Sequence, residues 1–113
     1  MIFYGLKSCD TCRKAQKELR AAGLDFDVID VRADGVSADK LREWASVVDW
    51  QKLLNTRSTT WRNLDACDKE NIDEAKAVTL MAAHPTLIKR PVIEVGKKIT
   101  IGWNKETKAA YDL

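Results

Sequence analysis

The sequence predicts an α/β fold built on a four-stranded mixed sheet, and three observations carry that prediction. Strand, helix and strand patterns follow one another over residues 2–31, a βαβ unit whose strands run parallel through a right-handed crossover. Two strand-like runs at residues 91–95 and 98–101 flank Gly96-Lys97, which suits a two-residue hairpin with glycine first. Between these two parts the chain has a helical rather than an alternating period.

The elements follow in order. Ile2-Phe3-Tyr4-Gly5-Leu6 reads as a short buried strand. Cys12, Ala15, Leu19 and Ala22 then recur at helical spacing, and Gly23 supplies the stop. A second strand covers residues 26–31, with Phe26, Val28 and Asp30 on one face and Asp27, Ile29 and Val31 on the other. Ser37 is placed to cap a helix whose stripe is Leu41, Trp44, Ala45 and Val48. Residues 50–54 form a short helical turn, and 55–62 a polar block. Asn71-Ile72-Asp73-Glu74 resembles a capping box, continued by Ile72, Ala75, Val78, Thr79 and Ala82. Asn104 caps a last short helix. Without a repeat, linker or low-complexity stretch, residues 1–113 form a single domain. Its order is that of a thioredoxin-like fold with a helical insertion between the βαβ unit and the C-terminal β-hairpin.

Composition narrows the function. With 45% hydrophobic and 32% charged residues the chain is an ordinary globule rather than a disordered tail. A net charge of +2, with both signs interleaved, gives no footprint for direct nucleic-acid binding. No apolar run approaches the length of a membrane span. Lys7, Asp10 and Arg13 interrupt any leader-like stretch, so the expected location is cytoplasmic. There thiols are normally reduced, and an odd count of three cysteines argues against a secreted disulfide framework.

Two of those cysteines, Cys9 and Cys12, stand in Lys7-Ser8-Cys9-Asp10-Thr11-Cys12-Arg13-Lys14, at the strand-to-helix junction. With a helix start near Ser8 they face each other across its first turn, about 5–6 Å apart at Cα, within disulfide reach. A thiolate there meets unpaired N–H groups and the positive end of the helix dipole. Lys7, Arg13 and Lys14 add positive potential, offset in part by Asp10. Cys12 opens the apolar stripe and points inward. Cys9 is the outer, attacking thiol, and Cys12 resolves the mixed disulfide it forms. Two inert buried thiols are the competing reading, since cysteine is often just a small hydrophobe. A metal site needs two further ligands, and Cys67 and His84 form no second knuckle, so none is expected. Cys67, among Asp65, Asp68 and Glu70, reads as a bystander.

Three stretches carry a family resemblance: Cys9-Asp10-Thr11-Cys12-Arg13-Lys14-Ala15, Leu53-Leu54-Asn55-Thr56-Arg57-Ser58-Thr59-Thr60-Trp61-Arg62, and Leu87-Ile88-Lys89-Arg90-Pro91-Val92. Nearly end to end, the chain resembles the arsenate reductase/Spx family of thioredoxin-like proteins, nearest its YffB-type branch. The resemblance implies that Cys9 is the catalytic cysteine and that Arg13 matches the arginine four residues beyond it. It also implies that Arg57 and Arg90 hold an anion beside the thiol and that the Arg90-Pro91 peptide is cis. A guanidinium suits arsenate or a glutathione carboxylate and also stabilises a thiolate. This chain departs from the arsenate-reducing members in having Cys12 where they carry serine and Gly5 where they carry histidine. It also has no clear third arginine in Ile101-Gly102-Trp103-Asn104. The expected activity is therefore a glutathione-dependent thiol–disulfide oxidoreductase, with glutathione as co-substrate and no bound cofactor. The alternatives are arsenate reduction with glutathione or glutaredoxin, and a Spx-like redox-switched regulator bound to RNA polymerase.

Overall fold

The computed structural model describes residues 1–113. In chain order the elements begin β1 (Ile2–Gly5), α1 (Asp10–Ala21), β2 (Asp27–Asp30) and α2 (Val31–Asp34). Five helices follow: α3 (Ala38–Val47), α4 (Trp50–Leu53), α5 (Thr59–Arg62), α6 (Ala66–Lys69) and α7 (Glu74–Ala83). A 3-10 turn at Pro85–Leu87 leads to β3 (Val92–Val95), β4 (Lys98–Ile101) and α8 (Lys105–Ala109). They group into two compact units, Met1–Asp34 with Arg90–Leu113, and Gly35–Lys89.

The first unit holds the whole sheet, in the order β2-β1-β3-β4. β1 and β2 are parallel, with Ile2 opposite Asp27 and Gly5 opposite Asp30. β1 and β3 are antiparallel, as are β3 and β4. This mixed sheet with its βαβ start is thioredoxin-like, as the order of sequence patterns predicts. Cys12, Ala15 and Leu19 of α1, each 0% exposed, pack with Phe3, Phe26 and Ile93. The rings of Phe3 and Phe26 lie 5.6 Å apart. Burying each large member contributes about 1.5–3 kcal/mol. The end of α1 is a Schellman closure: Leu24 N–H reaches Leu19 C=O and Gly23 N–H reaches Arg20 C=O. Gly23 takes the left-handed conformation this requires, at φ 81°. The hairpin follows the predicted pattern, pairing Val95 with Lys98 around Gly96 at φ 61°. Asn104 and Thr107 form a reciprocal capping box on α8.

Two details of this unit differ from the sequence expectation. β2 stops at Asp30 instead of Val31, because Asp30 Oδ1 accepts the N–H groups of Arg32 and Ala33 and starts α2. α1 starts at Asp10 rather than near Ser8, with Cys9 itself as its extended N-cap residue.

In the second unit, Ser37 Oγ accepts from Lys40 N–H to cap α3, which buries Leu41 and Trp44. α3 packs on α7, which buries Ala77, Val78, Leu80 and Met81. The predicted capping box is displaced: Asp73, not Asn71, caps α7, and Asn71 sits at φ 52° in the turn before it. The buried face differs as well: Val78 is buried as the stripe predicts, but Ala75 and Thr79 face solvent and Ala77, Leu80 and Met81 pack inward. The polar block is ordered too: Ser58 Oγ accepts from Trp61 N–H and caps α5. A bridge joins Leu54 to Ile88, flanked by Asn55 N–H to Leu87 C=O and Lys89 N–H to Leu53 C=O. No helix of the structure is long and apolar enough to cross a membrane.

Candidate functional site

The site is built where β1 hands over to α1. Cys9 N–H donates to Leu6 C=O, closing a turn over Lys7 and Ser8. Lys7 N–H donates to Asp30 Oδ2 at 3.3 Å, tying that turn to the end of β2. The Ala33 N–H holds the Asp30 carboxyl below the usual carboxylate range; burial opposes this and the Lys7 and Arg32 N–H groups assist. Cys9 is thereby delivered to the mouth of α1, half-buried, with Cys12 three residues on and wholly buried. All three cysteines are free thiols.

The two thiols have opposite electrostatics. Burial pushes the Cys9 thiol up, but the Cys12 N–H, the Cys12 thiol and the Arg90 guanidinium together outweigh it and leave Cys9 below its ordinary value. The Cys12 N–H acts here without closing a side-chain cap hydrogen bond on Cys9, so the helix mouth keeps that donor available to a developing thiolate. Cys12 is pushed up to about 12, above all by burial; a Leu6 backbone contact pulls it down, its neighbour Cys9 pushes it further up, and Arg90 pulls it down slightly. One thiol is therefore prepared to ionise and the other to stay protonated.

The predicted cations are placed differently from one another. Arg90 precedes β3, its peptide bond to Pro91 is cis, and its charge acts on both cysteines. Pro91 is buried, and its carbonyl accepts from Gly102 N–H. Arg13 is exposed on α1 and paired with Asp10, so part of its charge is spent within its own turn. Arg57 belongs to the second unit, exposed on the turn before Ser58, where its N–H takes Asn55 Oδ1. In that unit Cys67 is exposed near Asp65 and Asp68, their ligand atoms within 4.8 Å of one another, and His84 is exposed at the end of α7.

Two roles went unnoticed in the sequence. Asp30 tethers the Cys9 turn, and nothing in a strand-end aspartate distinguishes that role. Gly5 lies against Cys12, and its signal was visible: a glycine inside an apolar strand marks a close approach of other atoms. At the other end of α1 an open groove of about 400 Å³ is lined by Glu18, Ala21, Ala22, Lys108 and Leu113. There Trp103 Nε1 donates to Glu18, Lys108 Nζ stands 3.4 Å from the same carboxylate, and the Trp103 ring stacks on Tyr111.

Known proteins resemble this chain along nearly its whole length. The model of the ArsC family matches residues 4–111. A protein of Haemophilus influenzae is 43% identical over 109 residues, covering 96% of each chain. A solved structure of a YffB protein is 41% identical, with a TM-score of 0.92 over 97% of this chain and 96% of its own. A global transcriptional regulator Spx of Streptococcus pyogenes is 30% identical over 92% of this chain and 78% of its own length.

Proposed function

The chain belongs to the ArsC family, and from that premise we propose that it is a thiol–disulfide oxidoreductase that uses Cys9 as nucleophile and glutathione as reductant. The observation that supports this most is the divergence of the two thiols, Cys9 drawn toward its thiolate beside Arg90 and Cys12 held protonated. Nucleophilic thiols are drawn down in this way, whereas an inert core cysteine is only pushed up by its burial, as Cys12 is.

In the proposed cycle the Cys9 thiolate attacks the glutathionyl sulfur of a mixed disulfide substrate. A Cys9–glutathione bond forms, the substrate S–S bond breaks, and the substrate thiolate leaves and takes a proton from water. A second glutathione thiolate attacks the bound glutathionyl sulfur, releasing glutathione disulfide and restoring the Cys9 thiolate. Cys12 is the alternative resolving thiol, but it is 0% exposed, and that burial, which persists when Cys9 is in the mixed disulfide, holds it toward the protonated form. An external thiol is therefore the favoured second nucleophile. Arg90 is our assignment for the anionic end of glutathione, supported by its charge acting at the sulfur. Arg13 and Arg57 are assigned the same duty on the family resemblance.

Reduction of a small glutathione mixed disulfide, coupled to glutathione reductase and NADPH, tests the proposal. Turnover that vanishes in Cys9→Ser is the expected result, and turnover unchanged in that variant refutes it. Substituting arsenate for the disulfide in the same assay separates arsenate reduction from thiol exchange. The CxxC pair and the Spx relative favour a second reading, a redox-switched binding protein without turnover. Reduced and oxidised protein passed over RNA polymerase decides that reading; retention in neither state removes it.

A further inference from the structure

Gly5 is buried in β1, and the space above its Cα is already taken. A Cβ built there would stand 2.8 Å from Phe3 Cε1, 3.0 Å from Cys12 Sγ and 3.3 Å from Cys12 Cβ. Carbon atoms in good contact sit at about 3.5–4.0 Å, so such a Cβ could be accommodated only if something moved. The two neighbours are not equivalent. Phe3 offers the far edge of a ring that is 0% exposed against Phe26, so it yields only as its core neighbours repack, with no direct effect on the helix mouth. Cys12 offers both atoms of a side chain fixed on the first turn of α1, so moving them means moving the helix mouth. That mouth carries Cys9, whose turn is pinned at Leu6 and Asp30.

We propose that Gly5 is a positioning residue for the cysteine pair: the side chain it lacks is the space that seats the Cys12 sulfur, so a side chain at position 5 and a thiol at position 12 exclude one another. Gly5 touches no reacting atom and acts through Cys12. With the seat intact, the Cys12 thiol and N–H stand beneath Cys9 and favour its thiolate. With the seat filled, Cys12 is displaced and Cys9 loses both partners, while Arg90 remains. The inference rests on Cys9 being the reactive thiol of the proposed function. It is tested on the thiol itself, so a wrong substrate assignment leaves it standing.

The experiment uses full-length protein with Cys67→Ser, so that only the pair titrates. Gly5→Ala and Cys12→Ala are made singly and together, and the midpoint of Cys9 alkylation by iodoacetamide is measured against pH. Gly5→Ala should move that midpoint upward and slow alkylation at neutral pH by about twofold or more, the low end of coupling between residues in contact. In the Cys12→Ala background the same substitution should change neither. Equal effects in both backgrounds, or none in either, overturn the proposal. If Gly5→Ala does not fold, recovery of folding decides the matter. Rescue by Cys12→Ala supports the seat. Rescue by Phe3→Leu alone, or by neither, refutes it, because the demand for glycine then comes from the ring or from the strand itself.

Discussion

The opposite electrostatics of Cys9 and Cys12 predict a large difference in alkylation, and its size follows from the structure. Cys12 is 0% exposed and its thiol is pushed up to about 12, so at pH 7 its thiolate fraction is about 10⁻⁵. An ordinary exposed thiol with a pKa of about 8.5 is about 3% ionised at the same pH. Cys12 should therefore react on the order of a hundredfold more slowly than such a thiol, its scarcer thiolate being the more nucleophilic, before burial slows it further. Its rate should rise tenfold per pH unit from pH 7 to 10, whereas Cys9 should level off below the ordinary thiol midpoint. Timed iodoacetamide labelling followed by tandem mass spectrometry resolves the two, although trypsin leaves both on one peptide, Ser8-Cys9-Asp10-Thr11-Cys12-Arg13. A urea-unfolded control should label both alike. Comparable native labelling of the two at pH 7, or a Cys12 rate indifferent to pH, would refute the account of the pair.

Other tests bear on separate links. Arg90→Gln should move the pH midpoint of Cys9 alkylation upward, because that guanidinium is one of the groups drawing Cys9 down; an unmoved midpoint assigns the effect to the helix mouth alone. Cys12 also makes stability depend on alkaline pH. The native state keeps a proton that the unfolded chain releases near 9, so stability is full below that value and is lost as pH rises toward about 12. Urea midpoints should fall across that window in the parent and fall less in Cys12→Ala. Leu19→Ala, in the centre of the α1 face, should cost about 2–5 kcal/mol by urea unfolding. Gly23→Ala should cost about 1–2 kcal/mol by the same measurement, since open space surrounds it and only its left-handed backbone objects.

The parts legible in the sequence were those where one local signal had one reading. The Cys12, Ala15 and Leu19 stripe of α1, the glycine closing it, the glycine-first hairpin and the Asn104 cap each agree with the packing around them, whereas Ala22 falls just past the helix and is exposed. Legibility failed where two residues competed for one role. Asp30 could continue a strand or cap a helix, and its carboxylate took the second course because α2 offered it two N–H donors. Asn71 and Asp73 could each begin α7, and Asp73 took the cap, while the face that packs on α3 was set by Ala77, Val78, Leu80 and Met81. The position of Cys9 and Cys12 at a strand-to-helix junction was plain from the pattern. Their opposite tendencies to ionise depend first on how deeply each is buried and on what each does to the other, with Arg90, distant in sequence, adding a smaller pull on both.

The stacked Trp103 has an optical consequence. The chain carries four tryptophans, and Trp44, Trp50 and Trp61 all lie in Gly35–Lys89, leaving Trp103 as the single indole of the unit that holds the cysteines. Its ring stacks on Tyr111 and its N–H is held by Glu18 on α1, so its emission reports how the C-terminal segment grips that helix. With excitation at the red edge, where tyrosine does not absorb, Trp103→Phe leaves a tryptophan spectrum that belongs wholly to the helical unit. Subtracting it from the parent spectrum isolates the light of the sheet unit, and the two halves of one small chain can be watched separately as they melt.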